Sequence, residues 1–230
     1  MQRTVGMRAA VLASMLSGCA APNLSRTVGR GNGELRVSAG GPFISVLGPS
    51  IPVPHTKVGG RYGLAEWLDI DANLDVLAMA FQVWAMDVAA NVQLYRRPGG
   101  LAVATSARVH TFGDLDDPPA LRAYPEWGLH LGGPVPGVDW LQLYGGQTLV
   151  VSPNPPRDGS AVFWTPFLGV EALLPNKRQL RGKPRQHGIA VHGAWINPWD
   201  DSDSVVGYRP RRGAAAVYLG YRLRFGGLDR

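Results

Sequence analysis

From Leu68 to Val76 every second residue is apolar, and the residues between are Asp69, Asp71, Asn73 and Asp75. A period of two belongs to extended backbone, where successive side chains point to opposite faces; on a helix the same aspartates would scatter around the cylinder. The following segment repeats the pattern. Trp84, Met86, Val88, Ala90, Val92 and Leu94 lie on one face, with Asp87, Ala89, Asn91, Gln93 and Tyr95 on the other. Arg97-Pro98-Gly99-Gly100 then supplies a tight-turn signal.

Reading on in this way gives about ten strands, near 33–46, 55–63, 67–77, 80–96, 101–113, 124–132, 139–152, 161–174, 187–198 and 213–226. Most are as long as the ~9–11 residues a tilted strand needs to cross a bilayer, against ~5–6 for an ordinary globular strand. The pattern predicts an all-β chain, a closed antiparallel up-and-down transmembrane barrel of about ten strands, with eight or twelve as the neighbouring closed solutions. Closure satisfies every backbone hydrogen bond internally, which a lipid environment requires. The 30 glycines and the low charged fraction of 17% suit a turn-rich β-protein rather than a helical bundle or a disordered chain. No charge-free apolar run reaches the length of a membrane-spanning helix; Val76 to Met86 is the nearest case and is too short.

The first residues read as a targeting segment. Arg3 and Arg8 precede a mostly apolar run over Ala9–Leu16, and Leu16-Ser17-Gly18-Cys19 follows. Cys19 is the only cysteine, so no internal disulfide is possible. Leu16-Ser17-Gly18-Cys19 resembles the lipobox of bacterial lipoproteins. The resemblance implies cleavage before Cys19, acylation of its thiol, and, with Ala20 rather than aspartate following, the outer membrane. The expected organisation is a signal peptide over 1–18, a lipidated tether over 19–32 and a barrel domain over 33–230. The formal charge of +6 falls to +4 without Arg3 and Arg8, and it is not interleaved with aromatics, so nucleic acid is not an expected partner.

Near the C-terminus, Val217-Tyr218-Leu219-Gly220-Tyr221-Arg222-Leu223-Arg224-Phe225 alternates again. Tyr218, Gly220, Leu223 and Phe225 resemble the C-terminal assembly signal of Gram-negative outer-membrane β-barrels, which implies the barrel-assembly machinery as a partner during biogenesis. In that family an aromatic commonly ends the chain, whereas here Gly226 to Arg230 follow.

Alternation alone leaves two solvents open for the apolar face: lipid, or the interior of a soluble lipocalin-like barrel holding an apolar ligand. A water-facing exterior usually carries lysines, yet the chain has only Lys57, Lys177 and Lys183. The polar positions carry both signs of charge and small residues, as a narrow lumen would. The expected lumen-facing residues are Glu34, Arg36, Arg61, Asp69, Asp71, Asn73, Asp75, Asp87, Asn91, Arg108, Glu171, Arg222 and Arg224. Trp67, Trp127, Trp140, Trp164, Trp195 and Trp199 fall near strand ends, the place of an interfacial girdle.

Candidate chemistry is sparse. The Asp69-Asp71-Asn73-Asp75 row fails as a calcium loop, because its sixth and twelfth positions are Leu74 and Ala80 rather than glycine and glutamate. Ser106 and His110 share a face but lie about 13 Å apart along a strand, too far to pair; His130 and His192 approach Ser106 only if closure brings them there. No G-x-S-x-G elbow occurs. The expectation is therefore no catalytic residue, no metal and no cofactor, with a lipid hydrolase as the enzymatic alternative. The acidic runs Asp114–Asp117 and Asp200–Asp203 are expected at one end of the barrel, the outer one. There they and Arg209, Arg211 and Arg212 would meet lipopolysaccharide, while the basic loop 176–187 lies at the other end. The overall expectation is a lipidated outer-membrane barrel of a Gram-negative bacterium with a structural or narrow-pore role. Wide aqueous channels belong to barrels of ~16–18 strands.

Overall fold

A computed structural model describes residues 23–45, 50–52, 55–114, 121–153, 161–180, 183–198 and 213–226. Cys19, the segment before it, the acidic runs beyond Asp114 and over 200–203, Trp199 and Arg209–Arg212 lie outside the described residues.

Among the described residues eleven strands and one short helix follow in order: β1 (Gly33–Ser45), β2 (Ser50–Pro52), β3 (His55–Ala65), β4 (Leu68–Asp75), α1 (Val76–Ala80), β5 (Val83–Arg96), β6 (Ala102–Asp114), β7 (Arg122–Val135), β8 (Val138–Val151), β9 (Val162–Leu180), β10 (Lys183–Ile196) and β11 (Ala214–Phe225). Ten of them close a barrel in sequence order. All neighbours are antiparallel, and β11 returns to β1 from Gly33↔Phe225 to Pro42↔Ala216. The eleventh, β2, is a three-residue strand that pairs only with the far end of β1. Closure leaves no sheet edge among these ten strands, which is the state a membrane or any sticky edge demands.

Connections at the two ends differ. At one end, here the turn end, strands are joined by residues 66–67, 97–101, 136–137 and 181–182, and Gly33 and Phe225 also lie there. Pro136-Gly137 is the tightest signal: proline presets the first turn position, and Gly137 takes φ +77°, a left-handed conformation that favours glycine. The opposite loop end carries the longer connections 46–54, 76–82, 115–121, 152–161 and 197–213.

Three details depart from the sequence pattern. Val76 continues the apolar row of β4 by parity, yet the strand stops at Asp75, whose carboxylate accepts the Ala78 N–H at 3.0 Å and caps α1. Tyr95 shares parity with Gln93, but a register shift between them turns Tyr95 outward, where it is exposed. The expected basic loop at 176–187 is mostly strand. β9 runs on to Leu180 and β10 begins at Lys183, with a register shift at Pro184/Arg185.

The faces are inverted relative to a soluble barrel. Every one of the ten barrel strands exposes large apolar residues, among them Leu35, Val58, Ile70, Val88, Val109, Leu131, Leu143, Leu168, Val191 and Leu219. Along the middle of the strands the charged residues are inside, and exposed ones such as Arg122 and Asp139 lie near strand ends. Among the described residues three apolar clusters lie inside: Ala78, Ala85, Phe112, Tyr124 and Val150 pack at the loop end with Val83 and Phe163, while Ile196, Ala214, Ala216 and Tyr218, and Tyr144, Phe167 and Ala190, pack along the β8–β11 wall. A lipocalin-like barrel would need the reverse, with its apolar faces lining a central cavity.

Candidate functional site: a charged lumen closed at both ends

Alternation aims the odd residues of β3, β4 and β5 and the even residues of β1, β6, β7, β10 and β11 inward, so charges far apart in sequence meet across the barrel. Glu34, Arg36, Arg61, Asp69, Asp71, Asn73, Asp75, Asp87, Asn91, Arg108, Glu171 and Arg224 are all buried there, and Arg222 is nearly so. They form linked groups along the axis. Toward the turn end, Arg61 meets Glu34 at 3.0 Å and Asp69 at 3.5 Å. Arg222 bridges Glu34 at 3.2 Å and Glu171.

In the middle, Arg108 touches Asp71 at 3.1 Å, Asp87, and Glu126 at 3.4 Å. Arg36 holds Asp71 at 2.7 Å and donates to Asn73 at 2.9 Å. Asn91 donates to Asp71 at 2.6 Å, and Lys57 reaches Asp87 at 3.0 Å. Toward the loop end His55 meets Asp75 at 3.1 Å, and His110 meets Glu126 at 3.1 Å. Each buried carboxylate thus has a cation or amide beside it, the condition under which buried charge is tolerated.

Glu126, Lys57 and His55 belong to this network though pattern reading did not assign them to the lumen; His110, which shares the parity of Arg108, joins them. For Glu126 the signal was available: it has the parity of Tyr124, His130 and the other inward residues of β7. Pairing of β6 with β7 brings Ser106 Oγ within 3.0 Å of His130 Nε2, a pair that spacing along one strand does not give. Both residues are buried, and among the described residues His130 Nδ1 has no hydrogen-bond partner. A Ser–His nucleophile needs a third group to orient the base and an approach for substrate; neither is present among the described residues around this pair.

The largest departure is the segment 23–32. Sequence reading makes it part of a tether, but its described residues enter the barrel at the turn end. Asn23, Leu24, Ser25, Thr27 and Val28 are buried. Asn23 Nδ2 donates to Glu171 at 3.1 Å, Val28 N to Asp69 at 2.9 Å and Thr27 N to Gln93 at 2.9 Å. In return Arg61 donates to the Arg26 carbonyl at 2.9 Å and Arg224 to the Thr27 carbonyl at 3.0 Å. Two lumen-facing glycines make the room: a Cβ at Gly63 would stand 1.9 Å from the Gly29 carbonyl oxygen, and one at Gly132 2.5 Å from Ser25 Oγ. The segment is therefore a plug, its backbone groups satisfied by lumen side chains as burial requires.

Tyr218, Gly220, Leu223 and Phe225, which resemble an assembly signal, divide by parity. Tyr218 is buried and Gly220 half-buried on the inner face, while Leu223 and Phe225 take the outer parity. Of the tryptophans, Trp67 stands exposed at the turn end with Tyr62 and Tyr95, and Trp195 at the loop end with Phe81; Trp84 and Trp164 are half-buried there. Trp127 sits part-way along β7 rather than at a rim, and Trp140 lies at the lip of the turn-end mouth. From Trp84 to Tyr95 is about 36 Å along the strand, or roughly 28 Å along the axis at a ~40° tilt, close to the ~25 Å apolar band of membrane barrels.

No protein-family model matches the sequence, and no curated protein sequence does. Among solved structures the chain is similar to a bacterial polysaccharide outer membrane secretin (TM-score 0.38, 12% identity, 85% of this chain and 98% of that one). It is also similar to the translocator domain of autotransporter NalP from Neisseria meningitidis (TM-score 0.40, 10% identity, 98% of each). A third is a Pseudomonas aeruginosa FadL homologue (TM-score 0.30, 11% identity, 84% of this chain and 62% of that one). Likeness at this level adds nothing to what the chain's own geometry carries.

Proposed function

We propose that this chain is an integral β-barrel of the Gram-negative outer membrane whose lumen is sealed, and that its role in the envelope is structural rather than porin-like. The observation that carries the reading is the inverted polarity: large apolar residues point outward from all ten barrel strands while the charges are buried and paired inside. Apolar patches on soluble monomers rarely exceed a few hundred Å², and a belt around a whole barrel calls for lipid. Aromatics near both rims and short turns at one end with longer loops at the other fit the same setting, with the turn end periplasmic.

Sealing comes from the apolar cluster at the loop end, the ion-pair network in the middle and the N-terminal plug. The narrow-pore alternative would need that plug displaced. Lipidation of Cys19 and recognition of Tyr218, Gly220, Leu223 and Phe225 by the barrel-assembly machinery complete the proposal. Lipopolysaccharide contact at the loop end belongs to it as well, and no catalytic step is assigned.

The test is expression of the full-length chain in a Gram-negative host, with carbonate extraction of the outer-membrane fraction and gels of boiled and unboiled samples. Retention after carbonate with heat-modifiable migration supports the integral barrel. Release by carbonate, or full solubility of Cys19→Ala, overturns it. Metabolic labelling with a palmitate analogue, lost in Cys19→Ala, tests the lipid.

A further inference from the structure

The plug does not fill the turn-end mouth. Beside it lies a cavity of about 530 Å³, within the range of small-molecule sites. Arg26 of the plug, Arg222 and Arg224 of β11, Gln142 of β8, Gln186 of β10 and the indole of Trp140 are among its walls. Among the described residues of this wall three guanidiniums stand against one carboxylate, that of Asp139, which is exposed. Arg26 hydrogen-bonds, among the described residues, to the backbone carbonyls of Gly100 and Arg97, and its buried Nε has no partner there. Its one charged neighbour of consequence is Arg96, and desolvation together with that cation pushes its pKa down. No carboxylate among the described residues is bonded to that guanidinium. Arg222 engages Glu34 and Glu171 through NH1 and Nε, and its NH2 has no partner among the described residues.

We infer that this vestibule is a binding site for a small organic oxyanion, a phosphate or carboxylate, held by Arg26 and Arg222 with Trp140 against its carbon skeleton. Guanidinium is the side chain suited to such groups, because its planar fork gives two parallel charge-assisted bonds. The neutral amides of Gln142 and Gln186 can take hydroxyl or ester oxygens, and Asn23 and Arg26 make the plug itself one wall. The site exists only while the plug is seated, so ligand and plug stabilise one another. The inference stands on the mouth of the barrel and does not require the membrane reading; a detergent-solubilised chain tests it alone.

The experiment is calorimetric titration of the full-length chain in non-ionic detergent at fixed ionic strength, with inorganic phosphate, glycerol 3-phosphate and dihexanoyl phosphatidic acid as probes. The expected result is saturable binding of one equivalent, weakened about tenfold or more in Arg26→Gln, the scale of one charge-assisted hydrogen bond. Arg30→Gln, an exposed plug arginine outside the cavity, leaves it unchanged. Trp140→Ala, at the exposed lip, weakens the organic probes and spares inorganic phosphate. Tighter binding of glycerol 3-phosphate than of the lipid assigns the ligand to a free solute, and the reverse to a headgroup; both support the oxyanion site. Non-saturable binding, or equal losses in Arg26→Gln and Arg30→Gln with heat-modifiable folding retained, overturns it.

Discussion

Replacing Arg108 by methionine removes the cation that touches Asp71, Asp87 and Glu126 together. The four side chains are at most 5% exposed, so solvent offers little screening. Before the change, Arg36, Lys57 and Arg108 balance the three carboxylates; afterwards one carboxylate is in excess. Breaking a buried ion pair by deleting one partner costs about 3–5 kcal/mol. Arg36 still holds Asp71 and Lys57 still holds Asp87, which places the expected loss near the lower end, about 3 kcal/mol. Glu126 keeps only His110, so adding Glu126→Gln removes the excess charge and returns roughly 1–3 kcal/mol of coupling energy. Urea unfolding of the full chain in lipid vesicles, followed by the fluorescence of its seven tryptophans, measures both quantities. A loss below about 0.5 kcal/mol, or strict additivity in the double mutant, would refute the claim that this network works as a unit.

Gly63→Ala drives a methyl into the Gly29 carbonyl and is expected to unseat the plug, so that protease clips residues 23–32 while heat-modifiable migration persists; protection equal to wild type would count against the packing argument. Val88→Arg, exposed midway along β5, is expected to cost about 2–4 kcal/mol in a bilayer, and a neutral effect there would argue that this face meets water. Asp75→Ala removes both the α1 cap and the His55 partner, with an expected loss of about 1 kcal/mol for the cap alone, read from the same urea curves.

Period two was written plainly enough to give the strands, and strand length with paired parity pointed to a closed barrel, because both are local properties of extended backbone. The aspartates of Leu68–Asp75 show this: their common face follows from the pleat, whatever the partner strand. Tyr95 and Val76 mark where local rules stop, since a bulge and a capped helical turn each reset parity without leaving a clear trace in composition.

Contacts across the lumen were beyond the sequence. Arg222 and Glu34 lie 188 residues apart and Asn23 and Glu171 148 apart, and only closure of β11 on β1 makes the first pair neighbours. The plug is the sharpest case. Residues 23–32 look like a polar tether, and nothing local says they will fill a barrel. Their backbone is held by side chains from β3, β4, β5 and β11, the Asn23 side chain by Glu171 of β9, and room for them is made by Gly63 and Gly132. The alternating sequence determined that there would be a wall with two unlike faces. Which charges pair across that wall, and what stops its mouth, depended on the three-dimensional closure, because those partners become neighbours only when distant strands meet.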